Sequence, residues 1–447
     1  MAGKRCLAGF EAATPEAEGL SKAPLDELKA TLKEEVHDLN CLAGAAHVVL
    51  RRGRCVSAVT DGWANIKDGL PFGLDTICRL HGCTKPLVSS AFLTLVDAGK
   101  VRLSDPIADY LPFSEQVQTS RGSLQQVKER PTLRHLLTMT AGLKYTLCPA
   151  YSKIMRAVKS GKISDLAGLC EGLAAEPLQF QPGTRYEYSF CTDFLGRVCE
   201  VVSGESLDVF VHKALLRPLG MKDTYFLQNL PPAKQHRVAV MYDCKALPAS
   251  KRRKGGPTYH FELWDHPHSA PGIMSAGGGV MSYKDPGMMG TARDYARFCQ
   301  MLLDGGKAQD GRQVLKESTV RSIWCDALAP YGRPDGRLPG WHDSDGPKKG
   351  GYWDFCAWTL IGTHLDLKDP PRAPGKAPRK GVGMWMAGGD WCHWCVYPKD
   401  QLAVVSLSQQ FGGREDVNGR GASNARPYAV EAVELGNKES RKRKRSA

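Results

Sequence analysis

Strand-like patterns stand at both ends of this chain, and helix-like patterns fill the middle. Near the start, "AAHVVLRRGRCVSAVTDGWA" (residues 45–64) alternates apolar and polar positions and breaks at Arg52-Gly53, which reads as a β-hairpin. Near the end, "WDFCAWTLIG", "GVGMWMAGG" and "HWCVYPKDQLAVVSLS" carry strand patterns, the last turning at Pro398-Lys399-Asp400. Residues 132–140, 190–204, 206–220 and 291–306 have helical spacing instead, an amphipathic helix is expected at residues 24–39, and a terminal helix at 425–435. Such an order requires one sheet completed from both ends of the chain. The expected fold class is therefore α/β, an α+β sandwich of an antiparallel sheet flanked by helices, with a large helical lobe beside it. The expected division is a polar leader over 1–22 and a domain over 23–435, its α/β lobe about 23–75 and 355–435 and its helical lobe about 76–354. A basic, disordered tail is expected over 436–447.

The stretch "HGCTKPLVSSAFLTLVDAGK", residues 81–100, sets the candidate site. Leu87, Val88, Ala91, Phe92, Leu95 and Val96 form a helical stripe, and Gly99-Lys100 gives the stop. Pro86 is tolerated only in the first turn, so the helix begins close to Gly82. Spacing of three puts Gly82 and Lys85 on one face, whereas Cys83 points away from Lys85 and is expected in the core.

Charge and cysteine usage narrow the function classes. The formal net charge is +13, and "RKRKR" at 441–445 supplies five of those charges as a candidate nuclear-import signal. The second basic cluster, "KRRKGG", lacks interleaved aromatics, so no specific nucleic-acid partner is expected. Fifteen cysteines without framework spacing point to reduced thiols, and Cys392 and Cys395 would occupy opposite faces of a strand. No secretory or membrane-spanning pattern is present in these residues, which leads to the expectation of a cytoplasmic protein without a membrane span. No metal and no cofactor are expected, and the oligomeric state is left open.

From about Leu39 to Val433 the chain resembles the serine β-lactamase and penicillin-binding-protein-like superfamily, in particular its class C-related esterases and transesterases. The resemblance rests on "GLDTICRLHGCTKPLVSSAFLTLVDAGKVRLSDPIADYLP", "PTLRHLLTMTAGL", "QPGTRYEYSFCTDFLGRVCEVVSGESLDVF", "LLRPLGMKDTYF", "SAGGGVMS" and "TARDYARFCQMLLDGG", in that order. It implies a Ser-x-x-Lys motif at the start of the buried helix, with Lys85 as the lysine and Gly82 at the nucleophile position, where serine is absent. It also implies that Tyr188 of "YEYSF" is the proton-shuttling tyrosine. Phe190 stands where many relatives carry asparagine, and Met139 and Ala141 stand where relatives often carry histidine and serine. The third motif, on the strand walling the site, corresponds to the neighbourhood of Gly388, Gly389 and Asp390.

The resemblance and the missing serine together imply a catalytically degenerate member that binds a small acyl, ester or amide ligand or a protein partner. An active esterase, amidase or acyltransferase using water or another nucleophile is the alternative, and a non-catalytic scaffold is the third reading. If the remaining machinery is intact, Gly82→Ser is expected to restore part of the hydrolysis.

Overall fold

A computed structural model describes residues 7–119, 122–144, 153, 154, 156–158, 160–248, 250, 259–264, 287–331, 356–366, 383–387, 392–412 and 424–446. The main sheet has nine strands: β1 (Glu11–Ala12), β2 (Gly44–Arg51), β3 (Arg54–Asn65), β4 (Leu70–Pro71), β5 (Cys356–Trp358), β6 (His364–Asp366), β7 (Gly383–Ala387), β8 (His393–Tyr397) and β9 (Leu402–Ser408). They lie in the order β1-β3-β2-β9-β8-β7-β6-β5, with β4 on β3. All pairs are antiparallel except β1 on β3. The sheet is thus completed from both ends, and β2 pairs with β9 from Arg51↔Leu402 to Ala45↔Ser408.

Local chemistry explains the turns. β2 and β3 are joined by Arg52 and Gly53, with φ of 51° and 75°, the left-handed pair that a two-residue hairpin needs. The turn after β8 is a short 3₁₀ segment, Pro398–Asp400, closed by Gln401 at φ 48°.

Each face of the sheet buries its own set of side chains. On the outer face, α1 (Ala23–Lys33) and α5 (Arg426–Ser446) press Leu25, Leu28, Tyr428, Ala429 and Val433 onto Val49, Cys395, Tyr397 and Val404. Fully burying such an aliphatic or aromatic side chain contributes roughly 1.5–3 kcal/mol. On the inner face lies the larger core, which holds α2 (Thr84–Asp97), α3 (Cys191–Ser203) and α4 (Ala292–Leu303). Alternation sends Cys392 into the inner core and Cys395 into the outer one.

Two element expectations change. The helix expected over 24–39 is α1 followed by a π-helical turn, Glu34–Asp38. Residues 436–446, expected as a disordered tail, continue α5. Lysine, arginine and glutamate are good helix formers, and cations suit a helix C-terminus, so the basic run extends the helix. Among the described residues no helix is long and apolar enough to cross a membrane.

Candidate active site

The site begins at a strained turn. His81, Gly82 and Cys83 form a 3₁₀ turn that runs directly into α2, and His81 has a φ of 43°. A positive φ is uncommon for a residue with a β-carbon and is held only where the surroundings over-determine it. His81 is buried and meets Phe411 edge-on, with ring centroids 6.4 Å apart. Its conformation sets the direction in which Gly82 and α2 leave the turn.

One residue before Pro86, Lys85 is fully buried, 0% exposed, at the start of a helix whose flanks are also buried. Its Nζ lies 4.4 Å from the centroid of the Tyr188 ring, a cation–π contact with the tyrosine expected as its partner. Tyr188 reaches that place because "YEYSF" ends at the start of α3, where Phe190 is the cap. Trp358 on β5 closes the next side, its ring edge-on to Tyr186 at 5.3 Å and to Tyr188 at 6.1 Å, and its Nε1 donating to the Leu137 carbonyl at 3.2 Å. Gly362 covers the lysine stem. Its φ is 73°, and a β-carbon there would meet Lys85 Cβ at 3.4 Å.

Burial governs the electrostatics. Loss of water pulls the Lys85 amine down to about 8, while the carboxylate of Asp193 and then the Cys83 thiol act in the opposite direction. Asp193, 2% exposed in the first turn of α3, is therefore the countercharge of this site. The same loss of water raises the Tyr188 hydroxyl above its ordinary value, with Cys83 and Asp193 adding to the effect. Near pH 8 the lysine exists in both protonation states, while the tyrosine keeps its proton. The pair can hold a proton or donate hydrogen bonds, and its neutral amine can accept one.

At Gly82 the space is taken. A β-carbon there would stand 2.8 Å from the Ala387 carbonyl oxygen, 3.1 Å from Met386 Cε and 3.4 Å from the Tyr188 hydroxyl. The end of β7 thus lies against the start of α2, and it presents an acceptor there.

Of the residues singled out in the sequence, Gly82, Lys85 and Tyr188 come together. Phe190, expected at the ligand, is 1% exposed and packs in the inner core as the cap of α3, two residues after Tyr188. Gly388, Gly389 and Asp390 lie outside the described residues. Cys83 is 1% exposed, with Sγ 3.9 Å from the Met386 carbonyl and 3.8 Å from that of Cys392. Sequence reasoning missed Asp193, because an acid in the first turn of a helix reads as a dipole partner rather than as a buried countercharge. It also missed the Ala387 carbonyl, since a backbone contact leaves no side-chain signature. Among the described residues, no group of three or more His, Cys, Asp or Glu side chains could hold a metal ion.

Comparison with known proteins fits this geometry to a family. The family described as Beta-lactamase matches residues 32–426. Protein Rv1367c of Mycobacterium tuberculosis is 32% identical over 400 residues, covering 86% of this chain and 90% of that protein. Esterase EstB of Burkholderia gladioli is 32% identical over 390 residues, covering 82% of this chain and 86% of the esterase. Among solved structures, the LovD6 mutant of simvastatin synthase (LovD) from Aspergillus terreus superposes with a TM-score of 0.69 over 94% of this chain and 99% of that one, at 21% identity, a likeness of fold.

Proposed function

The chain belongs to the Beta-lactamase family, and we propose that it is a catalytically degenerate member that binds a small acyl, ester or amide compound beside Lys85 and Tyr188 without forming an acyl-enzyme. The observation that carries this reading is the Ala387 carbonyl, 2.8 Å from where the first side-chain atom of a nucleophile would stand on residue 82. No hydroxyl is present at that position, and a carbonyl sits against it. In a comparable triad, loss of the nucleophile lowers kcat by about 10⁶-fold, which leaves only what binding and oxyanion contacts supply. Lys85, Tyr188 and Asp193 persist as a buried polar set that can recognise a carbonyl-containing ligand. Relatives named as esterases and acyltransferases supply the ligand class.

Intact-mass measurement after exposure to a fluorophosphonate, hydrolysis of a p-nitrophenyl ester, and thermal stabilisation by a panel of esters and amides test the reading together. The expected result is stabilisation by at least one compound, with no covalent adduct and no turnover above background. A stoichiometric adduct, or turnover lost in Lys85→Met, refutes it in favour of an active hydrolase. That second reading rests on the buried Lys85 Nζ lying 4.4 Å from the Tyr188 ring, whose hydroxyl is 3.4 Å from the β-carbon position of residue 82, with burial lowering the amine so that its neutral form can take a proton from water. If there is no adduct, no turnover and no stabilisation, the scaffold reading replaces both.

A further inference from the structure

A cavity of about 360 Å³ lies away from Lys85, between the start of the β2–β3 hairpin and a second hairpin, Tyr242–Ala246 paired with Tyr259–Leu263. Leu42, Ala43, Trp63, Ile66, Phe261 and Leu263 supply its apolar lining. Large apolar side chains are seldom left open to water in one place. Here Trp63, Ile66 and Leu263 are 40%, 37% and 62% exposed, and all three line this one cavity.

Its walls are held by ordered contacts. The Ile66 amide donates to the Tyr242 hydroxyl at 2.7 Å, Asn40 Nδ2 donates to the Tyr259 carbonyl at 3.2 Å, and the Tyr242 and Phe261 rings meet edge-on at 5.7 Å. The charges at the mouth are unequal. Glu262 is engaged by Lys245 and by His260 at 3.1 Å, which neutralises it. Lys67 lines the cavity, is exposed, and takes part in no ion pair among the described residues. A largely apolar cavity at the small end of the ligand-site range, lined by an exposed lysine with no ion pair among the described residues, matches an amphipathic anion.

We propose that this cavity binds a small organic carboxylate, its apolar body between Trp63, Phe261 and Leu263 and its carboxylate at Lys67. The site is separate from the family cleft and independent of what that cleft does. Titration calorimetry of the full chain with octanoate and with 1-octanol tests it. Octanoate should bind saturably at one equivalent. Leu263→Asp, at an exposed position that the fold tolerates, should weaken both ligands by roughly tenfold or more. Lys67→Gln should weaken octanoate by roughly fivefold and leave octanol unchanged. Lys85→Met should leave octanoate binding unchanged. The proposal is overturned by absence of saturable binding, by binding indifferent to Leu263→Asp, by equal effects of Lys67→Gln on the two ligands, or by loss of octanoate binding in Lys85→Met.

Discussion

Replacing Gly82 with serine would appear to return the missing nucleophile, yet the structure predicts a damaged protein rather than a revived enzyme. The added β-carbon would sit 2.8 Å from the Ala387 oxygen, closer than such contacts normally come, and a backbone carbonyl at the end of a strand gives way less readily than a side-chain tip. Met386 Cε, at 3.1 Å, can give way. Relieving the carbonyl contact requires β7 to shift against α2, and overpacking of this kind costs about 1–3 kcal/mol. At roughly 2.1 cal/mol/K per residue, a chain of 447 residues has an unfolding entropy near 0.9 kcal/mol/K, so 2 kcal/mol lowers the melting temperature by only about 2 °C. Denaturant titration is therefore the better assay. Gly82→Ala carries the same β-carbon without the hydroxyl, so it should lose the same stability as Gly82→Ser. Neither variant should hydrolyse a p-nitrophenyl ester or take a fluorophosphonate label. A Gly82→Ser protein as stable as wild type and labelled at residue 82 would show that β7 retreats freely, and the reasoning from the Ala387 carbonyl would be wrong.

Other consequences are equally direct. Lys85 is held at about 8 in the folded protein against 10.5 ordinarily, so between those values the unfolded state binds more protons and stability rises with pH. That rise is up to about 3 kcal/mol from this group, and subtracting the denaturant-stability profile of Lys85→Met from that of wild type should isolate it. Asp193→Asn should lower the Lys85 value further and destabilise the fold at pH 7, read by NMR titration of the amine and by denaturation. Burial and nearby Arg426 push His364 and His393 down to about 3, so stability should fall as pH drops below about 6.5 toward 3, and His364→Gln/His393→Gln should flatten that fall. Arg426 holds Asp366, itself 0% exposed, and donates to the Tyr397 hydroxyl at 2.7 Å. Arg426→Ala leaves that carboxylate buried and should cost about 3–5 kcal/mol, with faster hydrogen exchange in α5.

Period alone carried much of the fold. The β2–β3 hairpin, β7 to β9 and the frame of α2 were legible because alternation, turn residues and a helical stripe are local signals. Lys85 and Tyr188 were legible only through resemblance, since neither position is distinguished by its immediate neighbours. β1 is two residues long and pairs with β3 through backbone groups, which leaves no pattern to find. The hairpin beside the second cavity has strands "YDCKA" and "YHFEL", in which polar and apolar residues do alternate, but each is only five residues long and a long basic Gly/Pro-containing segment separates them, so their pairing has no local turn signal. Gly82 shows the limit most clearly. Sequence marks it as an absent hydroxyl, whereas the structure reveals what occupies the space, a carbonyl from a strand some 300 residues further along.

The pairing of β2 with β9 also bears on how the chain is born. About 350 residues separate Arg51 from its partner Leu402, and ribosomes add roughly 5–20 residues per second, so the emerging hairpin waits roughly 20–70 s for the strand that covers its edge. Throughout that interval an apolar ribbon with unpaired amides stays uncovered, a ready template for association with neighbouring nascent chains. Holdase chaperones acting on the first sixty residues should therefore govern yield more than any property of the finished molecule. Nonsense truncations upstream of Leu402 should be found in aggregates rather than as partly folded monomers.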